Sequence, residues 1–176
     1  SAMIQVRRLV GFGVSFYNVY EFECLGSDGK VKWTETVKNR VVNTGLDDIL
    51  TNYWKGSGYT ASHFVGLTDG TPTDAAADTM ASHAGWTEVV AYSESTREAL
   101  TLGTVSSQSV DDSASKASFS INTDSTTVGG AFVTTNSTKS GTSGTLIGIA
   151  AFTGADKSVD NGDTLNVTVT LTAANG

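Results

Sequence analysis

Between Thr164 and Thr172 the sequence TLNVTVTLT puts Leu165, Val167, Val169 and Leu171 at every second position, with polar residues between them. A repeat of two belongs to a β-strand, whose successive side chains face opposite ways; a helix would scatter these residues around its circumference. One dry face and one wet face is the pattern of an antiparallel strand. Asn161-Gly162 just upstream supplies a turn.

The same alternation governs VSFYNVYEFEC (Val14–Cys24), with Phe16, Tyr20, Phe22 and Cys24 on one side and Glu21 and Glu23 on the other. Ser27-Asp28-Gly29 then reads as a hairpin turn, and KVKWTETV (Lys30–Val37) returns with Val31 and Trp33 in phase. Further strands are predicted at Ser62–Leu67, Trp86–Tyr92, Ala99–Ser106, Ala117–Asn122, Val128–Thr135 and Thr145–Phe152. Between the last two, Lys139–Gly144 is a turn. With 16% charged residues and one proline, the chain is rich in Thr and Val for strands and in Gly, Asn, Asp and Ser for turns. About nine strands separated by polar turns predict a single all-β domain over residues 1–176, an antiparallel β-sandwich or jelly roll.

One short amphipathic helix is predicted at about 44–54. Leu46, Ile49, Leu50 and Tyr53 form an apolar stripe, Asn43 or Thr44 can cap it, Asp47 and Asp48 suit its first turn, and Gly56 and Gly58 end it. With no partner helix, that stripe is expected to lie against a sheet. The following segment, residues 68–85, is a long loop with little apolar pattern, a kind of segment that is often functional or mobile.

The formal charge of -7 is uneven: residues 1–40 hold six basic and four acidic side chains (+2), residues 41–176 five and fourteen (-9). An acidic body without a basic stripe argues against nucleic acid or anionic membrane as partner. Cys24 is the one cysteine, so no internal disulfide is expected, and its apolar surroundings predict a buried, inert thiol. No apolar run reaches the length of a membrane-spanning helix, and no charged-then-apolar leader is recognisable. Ser1-Ala2 ahead of Met3 reads as a cleavage scar, which would start the natural chain at Met3 and place its folding in a reducing cytoplasm.

Nucleophile-elbow, phosphate-loop, zinc-helix and paired-cysteine motifs are all missing, and the chain has two histidines, His63 and His83. No catalytic residue and no cofactor is expected. Candidate partner contacts are Trp54, Tyr59, Asp69, Asp74, Asp78, His83 and Trp86, which cluster at the helix end and in the long loop. For Trp33 and Tyr53 packing at the helix–sheet junction is the expectation. Asp156, Asp160 and Asp163 are weak calcium candidates as loop carboxylates, but they lack the alternating spacing of a calcium loop, and turn initiation is the preferred account of them; no metal is expected.

The stretch KNRVVNTGLDDILTNYWKGSGYTASHFVGLTDG (Lys38–Gly70) resembles a family of small virion structural proteins of tailed bacteriophages. The likeness continues through DTMASHAGWTEVVAYSESTR (Asp78–Arg97), QSVDDSASKASFSIN (Gln108–Asn122) and the closing GDTLNVTVTLTA. The resemblance implies a non-enzymatic particle component assembled in the host bacterial cytoplasm, first of all a capsid decoration or cement protein or another head-associated protein. Its partners would be capsid or other virion proteins, with a homo-oligomer matching the lattice axes. The alternative it leaves open is a glycan-binding, host-recognition module of a tail fibre or spike. Coplanar, exposed Trp54 and Trp86 would favour sugar; an apolar patch would favour assembly. A third class, an envelope hydrolase, would need two facing carboxylates in a cleft.

Overall fold

The computed structural model describes residues 14–175 except 57 and 60, and of Asn175 only the backbone. Ser1-Ala2, expected to be a cleavage scar, lie outside the described residues. Among the described residues there are thirteen strands: β1 (Val14–Leu25), β2 (Val31–Lys38), β3 (Arg40–Val41), β4 (Phe64–Asp69), β5 (Thr87–Val89), β6 (Glu98–Ala99), β7 (Ser109–Asp111), β8 (Ala117–Ser120), β9 (Thr126–Val128), β10 (Gly130–Thr134), β11 (Leu146–Ala151), β12 (Lys157–Val159) and β13 (Thr164–Asn175). The count exceeds the expected nine because four short strands of two or three residues, β3, β7, β9 and β12, were not expected. Of the predicted strand at Ala99–Ser106 only Ala99 lies in a strand, β6, while Ser106 makes an isolated bridge to Ser109.

The first sheet runs β2-β1-β13-β7, with β8 also on β13; the second runs β3-β11-β10-β4-β5, with β6 also on β4; β9 and β12 pair separately. Every pairing is antiparallel. The β1–β2 hairpin turns as expected, with Gly29 at φ +76° and its N–H donating to the Gly26 carbonyl at 2.8 Å. A left-handed residue at that point is what a side chain would resist.

The two sheets face each other as a β-sandwich. Tyr20, Phe22 and Cys24 of β1 and Leu165, Val167 and Val169 of β13 meet Val65 and Leu67 of β4 and Ala131 and Val133 of β10 in one buried cluster. Full burial of such a side chain contributes roughly 1.5–3 kcal/mol. The alternation in β1 and β13 thus does what its period implies. Cys24 is buried and free, and burial with Asp163 nearby pushes its thiol up to about 11.

The second sheet is covered on its other face as well. Val42, Met80, Trp86, Phe132, Leu146 and Ile149 form a second buried cluster there. A bulge opposite Val133/Thr134 leaves Ile147 without a partner, so Leu146 and Ile149 reach this outer face while Ile147 and Ala150 reach the inner one. Met80 comes from the segment expected to be a functional or mobile loop, and Trp86 directly follows that segment. It is instead a cover that seals the sheet, which explains why β10 is buried along its whole length.

The helix departs furthest from expectation. Asn43–Ile49 is α-helical (α1) and Leu50–Trp54 continues as a π-helical turn. Val42 is the N-cap, with no side-chain cap bond, and because the helix starts at Asn43 the expected first-turn acids Asp47 and Asp48 fall beyond its first turn; the Asn43 N–H donates to the Ala76 carbonyl at 2.9 Å. No helix among the described residues is long and apolar enough to cross a membrane.

Candidate binding surface

The contact that orients α1 is made by a residue with no side chain. Gly45 is the buried residue of the helix, and a Cβ there would lie 2.2 Å from the Ile147 carbonyl oxygen. Thr44 Oγ1 donates to the Leu146 carbonyl at 2.7 Å beside it. The helix therefore rests on β11 through its Gly45 side, and the apolar stripe turns away. Leu46, Leu50, Tyr53 and Trp54 are exposed, Tyr53 by 78% and Trp54 by 75%. The expectation that Tyr53 packs in the core is corrected by this geometry, as is the docking of the stripe on a sheet. Trp33 is half-buried, edge-on to Phe152 at 6.0 Å.

The exposed stripe borders a groove with two lobes, of about 550 and 390 Å³. Both lobes share Phe16 of β1, Ile49 of α1, Ile147 of β11 and Leu171 of β13. Tyr53, Trp54, Tyr59 and Val14 extend the larger lobe, and Val105 and Val110 the smaller. Phe16, Val14 and Val105 are themselves exposed. Large apolar side chains gathered on one open face in this way are the mark of an interaction surface.

Polar groups sit at its edge. Tyr59 Oη and His63 Nε2 are 3.0 Å apart, and Asp48 and Asn52 line the same lobe. Burial lowers the His63 pKa, partly offset by Asp48, so the ring is neutral at pH 7. Asn18, buried at the floor of the smaller lobe, receives no acceptor for its Nδ2.

The sequence candidates divide. Trp54 and Tyr59 lie on the groove. Trp86 does not: it is 6% exposed, stacked on His83 at 3.7 Å and packed on Phe132 at 4.9 Å. Trp54 and Trp86 therefore share no exposed platform. The expectation of Trp86 as a contact residue is corrected because the second face of the β4–β10–β11 sheet is dry. His83 Nδ1 lies 3.1 Å from the Trp86 carbonyl oxygen and belongs to the same cover. Asp69 accepts from the Thr87 N–H at 2.8 Å, Asp74 pairs with Arg40, and buried Asp78 accepts from the Ala75 N–H at 3.0 Å. These three acids fasten the covering segment in place.

The calcium candidates are also engaged by the protein. Lys32 Nζ reaches Asp163 at 2.6 Å and Asp160 at 3.1 Å, while Asp156 accepts from Thr71 Oγ1 at 2.6 Å. No group of three or more His, Cys, Asp or Glu among the described residues is arranged to hold a metal. Phe16, Ile49, Ile147 and Leu171 were the groove residues missed in the sequence; each carried a strand or helix signal that reads as core. No protein-family model matches the chain, and no curated protein or solved structure matches it.

Proposed function

We propose that this protein is a non-enzymatic bacteriophage virion structural protein. It acts as a capsid decoration or cement protein, or as another head-associated protein, and binds the particle by protein–protein contact. The observation that carries this reading is the open apolar groove with Tyr53 and Trp54 at its lip. Aromatic side chains of this kind anchor protein interfaces, and each copy on a repeating lattice needs only a modest contact of its own. The likeness of Lys38–Gly70 to phage virion proteins gives the partner class. Tyr53 and Trp54 meet edge to face at 87°, which suits insertion between side chains better than a flat sugar platform.

The test is antibody-gold labelling of intact particles by electron microscopy. Gold over the head is the expected result. Gold confined to the tail tip would transfer the reading to host-surface glycan, and particles without gold would sink the virion assignment.

A further inference from the structure

The two lobes of the groove differ in chemistry. No charged side chain lines the smaller one, where Val41, Val105 and Val110 stand. The larger combines the rings of Tyr53, Trp54 and Tyr59 with one carboxylate, Asp48. That carboxylate is half-buried, and among the described residues neither it nor its exposed neighbour Asp47 forms an ion pair. Its charge acts inside the lobe. It adds to the burial that raises the pKa of Tyr59, and it partly offsets the burial that lowers that of His63.

The cations of the described chain are committed elsewhere. Six of its Lys and Arg side chains are held in ion pairs, and Lys38 and Lys139 lie over the rings of Tyr17 and Tyr92. Lys55, which follows Trp54, is exposed and lines neither lobe. With His63 neutral, the larger lobe carries a negative charge that no described cation balances.

Tyr53 and Trp54 stand at 87° with ring centres 5.6 Å apart, two walls of a corner in the lobe that Asp48 lines. Ring faces attract a cation, and a half-buried carboxylate holds one more strongly than a carboxylate in open water. The chain makes the first of these contacts internally, where the Lys139 ammonium sits 3.7 Å from the centre of the Tyr92 ring. A long basic side chain suits such a site, because its methylene stem lies on apolar surface while its head reaches the rings and the acid.

We infer that the groove takes an extended segment of the partner protein carrying an arginine or lysine with an apolar residue two positions away. The basic head lies against Trp54, Tyr53 and Asp48 in the larger lobe, and the apolar side chain enters the smaller one. Residues two apart in an extended chain share a face at a spacing of roughly 7 Å. The lobes are continuous through Phe16, Ile49, Ile147 and Leu171, so one strand spans both. The inference rests on the reading of the groove as a protein-binding surface, and it adds the charge and spacing that the partner must present.

The test titrates the full, isotope-labelled chain with acetyl-Leu-Ala-Arg-Ala-Leu-amide, which presents the same pair in either chain direction, and follows amide and indole NMR signals. Companion peptides carry Gln or Glu in place of Arg. The arginine peptide is expected to bind about 3- to 30-fold tighter than the glutamine peptide, as one cation–π contact and one partly exposed ion pair imply. The glutamate peptide should be the weakest. Asp48→Asn and Trp54→Ala should each reduce the preference for arginine, and Trp54 is an exposed position whose replacement leaves the fold intact. Equal affinity for the three peptides, or a preference untouched by both substitutions, would overturn the inference. Arg7 and Arg8 precede Val14 in sequence, so the titration is repeated on the chain carrying Arg7→Gln and Arg8→Gln. A preference that emerges only there would overturn the assignment to a partner in favour of the chain's own arginines. Isolated protein suffices, so a failure here leaves particle labelling untouched, and a failure of labelling leaves the cation preference standing.

Discussion

The guanidinium of Arg97 holds the carboxylate of Glu88 by two bonds, Nε to Oε1 at 2.8 Å and Nη2 to Oε2 at 2.7 Å, with the arginine 1% exposed. Nη1 donates to the Asn136 carbonyl at 2.8 Å, Nη2 also donates to that of Gly141 at 3.0 Å, and the Phe132 ring lies 5.2 Å away. One side chain therefore ties β5 to the β10–β11 hairpin. Arg97→Met strands a buried carboxylate and is expected to cost about 3–5 kcal/mol in urea unfolding. Arg97→Met with Glu88→Leu should recover part of that loss, because no charge remains buried. Equal losses in the single and double variants would refute the ion pair as the source.

Trp86 and Trp54 are opposite cases of one residue type. Trp86→Ala opens a cavity beneath the covering segment and should cost about 3–5 kcal/mol. Trp54→Ala, on the open groove, should change monomer stability by less than about 0.5 kcal/mol. Iodide quenching separates them too, since the emission removed by Trp54→Ala should be the quenchable part.

Helix propensity alone favours alanine over glycine by about 1 kcal/mol. At Gly45 the contact decides otherwise, because the new Cβ would sit 2.2 Å from backbone that has no room to yield. Gly45→Ala is expected to destabilise the protein and lift α1 from β11. A gain in melting temperature would show that the helix is not seated there.

Asp112 gives a pH dependence of defined sign. Its Oδ1 accepts from the Val169 N–H at 2.7 Å, its Oδ2 has no partner, and burial raises its pKa above the usual carboxylate range. Between the unfolded value of ~3.9 and the raised folded value, the folded state keeps a proton that the unfolded chain releases. Stability from this group therefore falls as pH rises through that window. Asp112→Asn cannot ionise, so its stability relative to wild type should improve as pH rises from the unfolded carboxylate value of ~3.9 through the raised folded value. A difference constant with pH would reject burial of the ionised form as the cause.

Long elements with one wet face were legible. β1, β2 and β13 announce themselves because alternation over eight or more residues has no helical equivalent. β3, β7, β9 and β12 are too short for any period to register. The site was half visible: Trp54 and Tyr59 stood out as aromatics beside glycines, but Trp86 stood out in the same way and is core. Local context could not distinguish them, because burial of Trp86 depends on a second dry face of a sheet made from distant segments. The helix stripe misled for a related reason. What docks α1 is Gly45, whose signal is the lack of a side chain.

The pairing of β1 with β13 joins Leu25 to Thr164 and Val14 to Asn175, residues 139 and 161 positions apart. Among the described residues, β7 and β8 pair with no strand other than β13. During synthesis the edge of the first long strand that takes β13 must therefore wait unpaired until the ribosome has released Thr164 and the residues after it. Folding is governed by that late closure and belongs in the millisecond-to-second range of topologies dominated by distant contacts. A chain interrupted before Thr164 would carry every other strand yet lack the one that makes the first sheet, and such fragments should accumulate as aggregates.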